Sequence, residues 1–512
     1  MRPTARHRSW SAESADSTDV AEDHVTQQFG PDRDEPKQPA DFATEAAAAH
    51  KNQPVKQNGL RVVGPMRRTH PPAPNGCPAW WTSSILWTDL FDILLTSVDS
   101  TDANLGRRVC IETELTMALA RRLDQLGTET AFAVSQAAAE WGAKGNRIYP
   151  FHLGDINLAT PGNIVEAMNV AIADGKTGYC PAAGIAPLRE ALAANIGGDR
   201  AMSLTPDNIV VQPGGKPVIT KFIQTLMNPG DGVLYPNPGY PIYESQVEYF
   251  GGRPMPYRYH ETPTGFGIDL DQIRGLAASG ATAIIYNNLQ NPLGCESSLE
   301  EMQAIADIAI EHDLWVLSDE AYFEMRYSGT STSIASLAGM AERTVILYTF
   351  SKKFAMTGWR LGCAVAPIEV AQMIAKLNTN DESCTTHFVQ AAGVEAITNP
   401  EGAAPMLAEL QRRRDAAAAG LAQIKGITCA TPESTFYLFP NATDAMEQMG
   451  FTDVGDFATA ALQNTGVSFC TRRHFGRPQP GETQEYIRLA YSGISVEDIT
   501  EGLGKLAAWI NA

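Results

Sequence analysis

From residue 117 onward, short apolar runs alternate with stretches whose apolar residues recur at helical spacing, a pattern nearly absent from residues 1–116. A short apolar run bounded by turn formers reads as a buried strand, and apolar positions three and four apart read as an amphipathic helix. On that basis Ile209–Val211, Val233–Tyr235, Ala283–Tyr286, Leu314–Ser318, Val345–Thr349 and Leu361–Ala366 are predicted strands. Val218–Met227, Ile242–Tyr249 and Leu299–His312 are the helices between them. Such alternation predicts an α/β large domain with a mainly parallel sheet covered by helices on both faces. Ala403–Ile424 reads as a long helix, followed by strands Thr435–Leu438 and Ile487–Ala490 and a terminal helix Val496–Ile510, together a smaller α+β domain. Its remaining elements are expected from the start of the core, where Met117–Leu126 and Ala131–Ala143 carry a helical period. The expected division is 117–165 and 400–512 for the small domain and 166–399 for the large one.

The leading segment behaves differently. Residues 1–76 are rich in Pro, Asp, Gln, Ala and Arg and are expected to be disordered. Trp80, Trp81, Trp87, Phe91 and Leu94 suit a short helix within 77–116. Arg2, Arg6 and Arg8 are soon followed by Asp16, Asp19, Glu22 and Asp23, against the acid-poor composition of transit peptides, so no targeting signal is assigned. We expect 1–116 to be a disordered or non-native extension, with translation of the folded protein starting at Met117.

Composition narrows the function classes. The 512 residues include 58 acidic and 39 basic ones, a formal net charge of −19, which disfavours nucleic acid and anionic membranes as partners. No apolar run approaches the roughly 20 residues of a membrane span. The 8 cysteines form no C-x-x-C pair and the 9 histidines no ligand spacing, so neither disulfides nor a metal are expected, as suits a cytoplasmic protein.

Candidate chemistry clusters at strand ends. Ser351-Lys352-Lys353 follows the strand Val345–Thr349 and leads to Met356-Thr357-Gly358-Trp359-Arg360. A lysine there, with hydroxyls and a guanidinium close by, suits a cofactor that bears both an aldehyde and a phosphate. Asp319-Glu320-Ala321-Tyr322 follows another strand; a buried carboxylate keeps a cofactor's ring nitrogen protonated. Pro213-Gly214-Gly215-Lys216 joins a strand to a helix, where backbone N–H groups can meet a phosphate. Asn287-Asn288-Leu289-Gln290-Asn291-Pro292-Leu293-Gly294, Pro238-Gly239-Tyr240-Pro241 and Tyr486-Ile487-Arg488-Leu489-Ala490 complete the set.

In this order the motifs resemble those of class I/II (fold-type I) pyridoxal-phosphate aminotransferases, of the aspartate aminotransferase kind, over residues 117–512. The resemblance selects Lys352 rather than Lys353 as the cofactor-bearing lysine, because Lys352 directly follows Ser351 and stands eight residues before Arg360. It implies that Thr349, Ser351, Arg360, Gly215 and Lys216 hold the phosphate. It puts Asp319 at the ring nitrogen, Asn291 and Tyr322 at the ring oxygen, and Tyr240 against the ring face. Asn291 lies 28 residues before Asp319, as the family spacing has it, although Asn288 and Leu293 depart from the usual Pro and Thr. Arg488 is implied to grip the substrate α-carboxylate, its planar fork matching that group. Gly178-Tyr179 with Gly184 and Leu188-Arg189 resembles the segment whose tyrosine reaches the neighbouring subunit's phosphate. Leu153-Gly154-Asp155 with Thr160-Pro161 resembles the substrate-side loop, placing Gly154 at the substrate.

The implied protein is a homodimer with shared active sites, binding pyridoxal 5′-phosphate. It passes an amino group from an L-amino acid to a 2-oxo acid by a ping-pong route, with Lys352 moving the α-proton. One alternative stays open, a C–S β-lyase on the same fold; a second, a transcription regulator with an aminotransferase-like domain, is set aside. The second needs a basic DNA-binding domain ahead of the core, whereas residues 1–116 hold 12 Lys/Arg against 16 Asp/Glu. The substrate side chain, and any cation for a second carboxylate, are not assigned by these motifs.

Overall fold

The computed structural model describes residues 119–127 and 131–512; the expectations for 1–116, including the Met117 start, lie outside them. In chain order the strands are β1 (Tyr149–Pro150), β2 (Ile209–Gln212), β3 (Gly232–Pro236), β4 (Arg253–Tyr257), β5 (Tyr259–Thr262), β6 (Gly265–Ile268) and β7 (Ala281–Asn287). They continue with β8 (Trp315–Asp319), β9 (Thr344–Thr349), β10 (Gly362–Val365), β11 (Tyr437–Leu438), β12 (Val467–Ser468), β13 (Cys470–Thr471) and β14 (Ile487–Ala490). Seven of them form one sheet in the order β2-β10-β9-β8-β7-β3-β4. All neighbours pair in parallel except β10, which runs antiparallel to both β2 and β9.

The expected α/β architecture with its mainly parallel sheet is therefore present. Its cause is legible residue by residue. In β9, Val345 and Leu347 enter one apolar cluster while Ile346 and Tyr348 enter another, as the two-residue period of a strand requires. Both faces are apolar because helices cover both. A separate cluster joins Tyr149, Phe151 and Ile156 to Leu410, Tyr437, Ile487, Leu503 and Ile510, so the first core segment packs with the last hundred residues. Within it β11, β14 and β13 form an antiparallel sheet, and β1 pairs in parallel with β12.

Two expectations change. The helix expected over Met117–Leu126 is, in its described part, a single 3-10 turn, Arg121–Gln125, with no buried residue. Leu119 lies outside any regular element and is 81% exposed, and Leu123 and Leu126 are exposed too, so the leucines of this segment lack a core to pack on; a helix this short is marginal without one. The strand expected over Thr435–Leu438 shrinks to Tyr437–Leu438, because Thr435 takes a left-handed backbone (φ 62°) and its hydroxyl accepts from the Tyr437 amide. Strand β4 and the β5–β6 hairpin escape the sequence pattern. β4 reads Arg-Pro-Met-Pro-Tyr, and prolines are tolerated because it is the sheet's edge.

Candidate active site

The parallel strands end on one side, and the residues singled out above stand there. Asp319 is the last residue of β8 and Thr349 the last of β9, with Ser351 and Lys352 directly beyond. Gly214-Gly215 link β2 to the helix Lys216–Leu226, and Tyr240 follows β3. A cavity of about 240 Å³ opens between these ends and the segments 152–154, 437, 474–475 and 488. Ligands in open α/β sheets bind at such carboxyl ends.

One end of the cavity is a set of donors. Thr349 and Ser351 hydroxyls lie 2.9 Å apart, and the Ser351 amide donates to Thr349 Oγ1 at 3.2 Å. The Arg360 guanidinium, held by a bond from Nη1 to the Thr357 carbonyl, lies against Gly214. A Cβ on Gly214 would come within 2.1 Å of Arg360 Nη2, and φ there is +100°, so only glycine fits. Gly215 caps the helix Lys216–Leu226, whose first amides and positive dipole end face the same spot. Hydroxyls, guanidinium and helix amides together are the chemistry of a phosphate site.

The middle of the cavity holds Lys352, whose Nζ donates to the Gly154 carbonyl at 3.0 Å and stands over the Tyr322 and Phe436 rings. Lys353 instead pairs with Glu324 at 2.9 Å and does not line the cavity. Asp319 is buried; its Oδ2 accepts from Tyr243 Oη at 2.6 Å and its Oδ1 from the Ala321 amide at 3.2 Å. Burial lifts the Asp319 carboxyl above its usual range, with the Glu320 charge adding, while Tyr243, the Ala321 amide and Lys352 pull it back. Burial, and then Tyr437, push Tyr322 well above the usual phenol range, so it stays a neutral donor.

The far end is built around Arg488 in β14. Its Nη1 donates to Asn291 Oδ1 at 3.3 Å and its Nη2 to the His152 carbonyl at 2.6 Å. The guanidinium is sandwiched between Tyr437 and Phe475, 4.7 Å from each ring centre. Asn291 is oriented in turn: its amide donates to Asn287 Oδ1, and Asn287 Nδ2 donates to the Asp319 carbonyl. Burial pushes the His152 imidazole down to about 4, the Arg488 charge assisting, and lowers His474 likewise. The His152 ring is therefore neutral near pH 7.

Of the residues singled out from sequence, Lys352, Gly215, Lys216, Tyr240, Asn291, Asp319, Tyr322, Thr349, Ser351, Arg360, Arg488 and Gly154 all line this one cavity. Tyr179 does not; it is 89% exposed on its own chain. Tyr243, Tyr437, His152, His474 and Phe475 also line the cavity but belong to none of the motifs singled out from sequence. Tyr243 had a usable signal, three residues past Tyr240 on a helix. Tyr437 hydrogen-bonds Tyr322 at 2.7 Å, and its hydroxyl would lie 2.3 Å from a Cβ on Gly154, a contact invisible in sequence.

Residues 149–506 match the family described as aminotransferase class I and II. The chain is 30% identical to an aspartate aminotransferase of Bacillus subtilis over 397 residues, 77% of this chain and 99% of the relative. It is 32% identical to a probable aspartate/prephenate aminotransferase of Aquifex aeolicus over 395 residues, 76% of this chain and 97% of the relative. Among solved structures, an aspartate aminotransferase from Thermus thermophilus with maleate superposes with a TM-score of 0.69 at 29% identity, covering 77% of this chain and 99% of that one.

Proposed function

The chain belongs to the class I and II aminotransferases and is a transaminase, and from that premise we propose that it uses pyridoxal 5′-phosphate to transfer the amino group of an acidic L-amino acid, aspartate first, to a 2-oxo acid. The observation that carries this is that the Lys352 amine, the Arg360 donor set and the Arg488 guanidinium line one cavity. The cofactor fits the residues present. Arg360, Thr349, Ser351 and the Gly215 and Lys216 amides would hold its phosphate, and Tyr240 would cover its ring. Asp319 would meet the ring nitrogen, and Asn291 and Tyr322 the ring oxygen.

Bound there, pyridoxal 5′-phosphate supplies a carbonyl to carry the amino group and a protonated ring that draws electron density from the substrate α-carbon. The chain does the rest. Arg488 takes the α-carboxylate and fixes which bonds of the α-carbon face Lys352. The Lys352 amine would remove the α-proton and return it to the carbon of the carbonyl that the cofactor supplies, acting as base and then as acid. Tyr243 and the Ala321 amide donate to the Asp319 carboxylate and offset part of the cost of its burial. The cavity carries four cations, Lys216, Lys352, Arg360 and Arg488, against one acidic side chain, Asp319, a field that favours an anionic substrate. The aspartate names of the relatives, and maleate in the Thermus structure, point the same way.

Tyr179, exposed on its own chain, supports a homodimer in which it completes the partner's phosphate site. The apolar cluster joining 149–156 to the last hundred residues supports the division into a small domain, 117–165 with 400–512, and a large one, 166–399. The cysteines of the described residues are thiols, which suits a reducing cytoplasm, and no helix among the described residues is long and apolar enough to cross a membrane. The decisive test is single-turnover absorbance of the loaded protein against a panel of amino acids. Aspartate is expected to convert the cofactor to its amine form fastest; release of pyruvate and ammonia from cysteine conjugates with no oxo-acid dependence would overturn the reading.

A further inference from the structure

Two loops meet at a pair of thiols that line no part of the cavity. Cys180 lies between the helices Gly162–Ala173 and Ala186–Asp199, and Cys384 between the helices Ile368–Asn380 and His387–Thr398. The Cys180 amide donates to Cys384 Sγ at 3.5 Å, and the two thiols hydrogen-bond each other. Cys180 Sγ also accepts from Gln390 Nε2 at 3.2 Å and lies 3.5 Å from the Thr385 carbonyl. Gln390 is fully buried and ties the loops together: its Oε1 accepts from the Ile185 amide at 2.9 Å, and its Nε2 donates to the Thr385 carbonyl at 2.7 Å. Asn378 Nδ2 adds a second tie, to the Ala182 carbonyl at 3.0 Å. The sulfurs are thus brought together by groups other than themselves. Both cysteines keep partial exposure, which lets a small solute reach them.

We propose that Cys180 and Cys384 are a modification site, joined by a reversible disulfide when the protein meets peroxide, and that the bond clamps one loop to the other. Burial and then the Cys384 sulfur push the Cys180 thiol up to about 11, so Cys180 keeps its proton at neutral pH. Cys384 is therefore the sulfur that reacts first. Its thiolate attacks one peroxide oxygen, the O–O bond breaks, and a sulfenic acid and hydroxide result. Cys180 then attacks the sulfenic sulfur: the S–S bond forms, the S–O bond breaks, and the oxygen leaves as water with the Cys180 proton. The hydroxide takes up the proton that Cys384 had shed. In all, each sulfur gives up one electron and the peroxide becomes two waters. A thiol reductant reverses the change by exchange, the transient behaviour expected of a disulfide in a reducing compartment. The bond joins residues 204 apart in sequence, and long closures restrict the unfolded chain most. It also fixes the backbone directly after the exposed Tyr179. Nothing in this inference depends on the pyridoxal-phosphate reading.

The test exposes the full-length chain, Cys180→Ser and Cys384→Ser to hydrogen peroxide, blocks the remaining thiols and maps the peptides by mass before and after dithiothreitol. The parent is expected to yield one linked pair of peptides carrying Cys180 and Cys384, two hydrogens lighter than their sum and separated by the reductant. Neither serine variant should yield it. Dimedone, which traps sulfenic acids, should label Cys384 in Cys180→Ser and leave Cys180 unlabelled in Cys384→Ser. The unfolding midpoint of the oxidised parent is expected to rise by about 5 °C and to return on reduction, with no rise in either variant. Should a serine variant not fold, the peptide map and midpoint of the parent decide alone. Two sulfurs that stay thiols, that oxidise without linking, or that link to other cysteines would overturn the proposal. A linked pair that leaves the midpoint unchanged would overturn the clamp.

Discussion

On one wall of the cavity, Gly215, Tyr240, Asn291, Asp319, Thr349 and Lys352 stand at or just past the carboxyl ends of strands in a single sheet. The facing wall draws Gly154, Tyr437, Phe475 and Arg488 from segments far apart in sequence and joined by short strand pairings; the bond from Arg488 to the His152 carbonyl spans 336 residues. The first wall is positioned by backbone hydrogen bonds that any sequence with the right strands would make. The second has strands of only two to four residues, and its side chains are set by close packing: Arg488 by two rings, Tyr437 against Gly154. The sheet wall is thus specified locally and tolerant in its outer residues, while the packed wall is specified jointly and sensitive to single atoms.

Changes to each wall put that contrast at risk, beginning with the largest effect. Lys352→Ala is expected to lower turnover by about 10⁴-fold, the upper end for a lost acid–base group. It should also abolish borohydride-trapped cofactor in intact mass, while thermal stability stays near parent. A variant that still transaminates would break the sheet-wall assignment. Arg488→Met comes next, with a loss of about 2–5 kcal/mol in kcat/KM, since it removes one partner of a buried charge pair. Steady-state kinetics with aspartate checks it, and an unchanged kcat/KM would remove the packed wall from substrate binding.

His152 tests whether the packed wall is the acid-labile one. Its folded value of about 4 lies below the usual 6.5, because burial disfavours the charged ring. The unfolded chain therefore takes up the proton first. Stability is fully present above pH 6.5, declines as pH falls through the window and is lost below 4, by on the order of 3 kcal/mol. Denaturant midpoints at pH 7 and 5 should show this slope, and His152→Gln should flatten it. The smallest effect is expected for Gly154→Ala, about 1–3 kcal/mol from overpacking against the Tyr437 hydroxyl. Tyr437→Phe in the same chain should recover part of it; activity and unfolding midpoints of the double variant report the coupling.

The contrast also explains what sequence could reveal. Asp319, Asn291, Thr349 and Lys352 carry turn and strand-end signals at fixed spacings, so one chain of symbols shows them. Tyr437 sits in a strand of two residues behind a left-handed Thr435, which hides both its element and its direction. The pairing of Arg200 with Glu320 joins a helix end to a strand end across 120 residues, and neither residue type in isolation announces it. Lys353 shows the reverse: adjacent to Lys352 and chemically identical, it is separated from it by what the fold puts nearby, Glu324 in one case and the cavity in the other.

The parallel pairing of β1 with β12, Tyr149 beside Val467, has a consequence for the order of assembly. During synthesis the strands of the large sheet are all available once residue 365 has emerged, and their loops are short enough to close early. The segment carrying His152 and Gly154 must wait for β12 and β14, more than three hundred residues later. A nascent chain therefore acquires its sheet before its substrate side, and exposes the apolar faces of Tyr149, Phe151 and Ile156 throughout that interval. Pulse proteolysis of stalled chains should find these residues cleavable until the last strand is made.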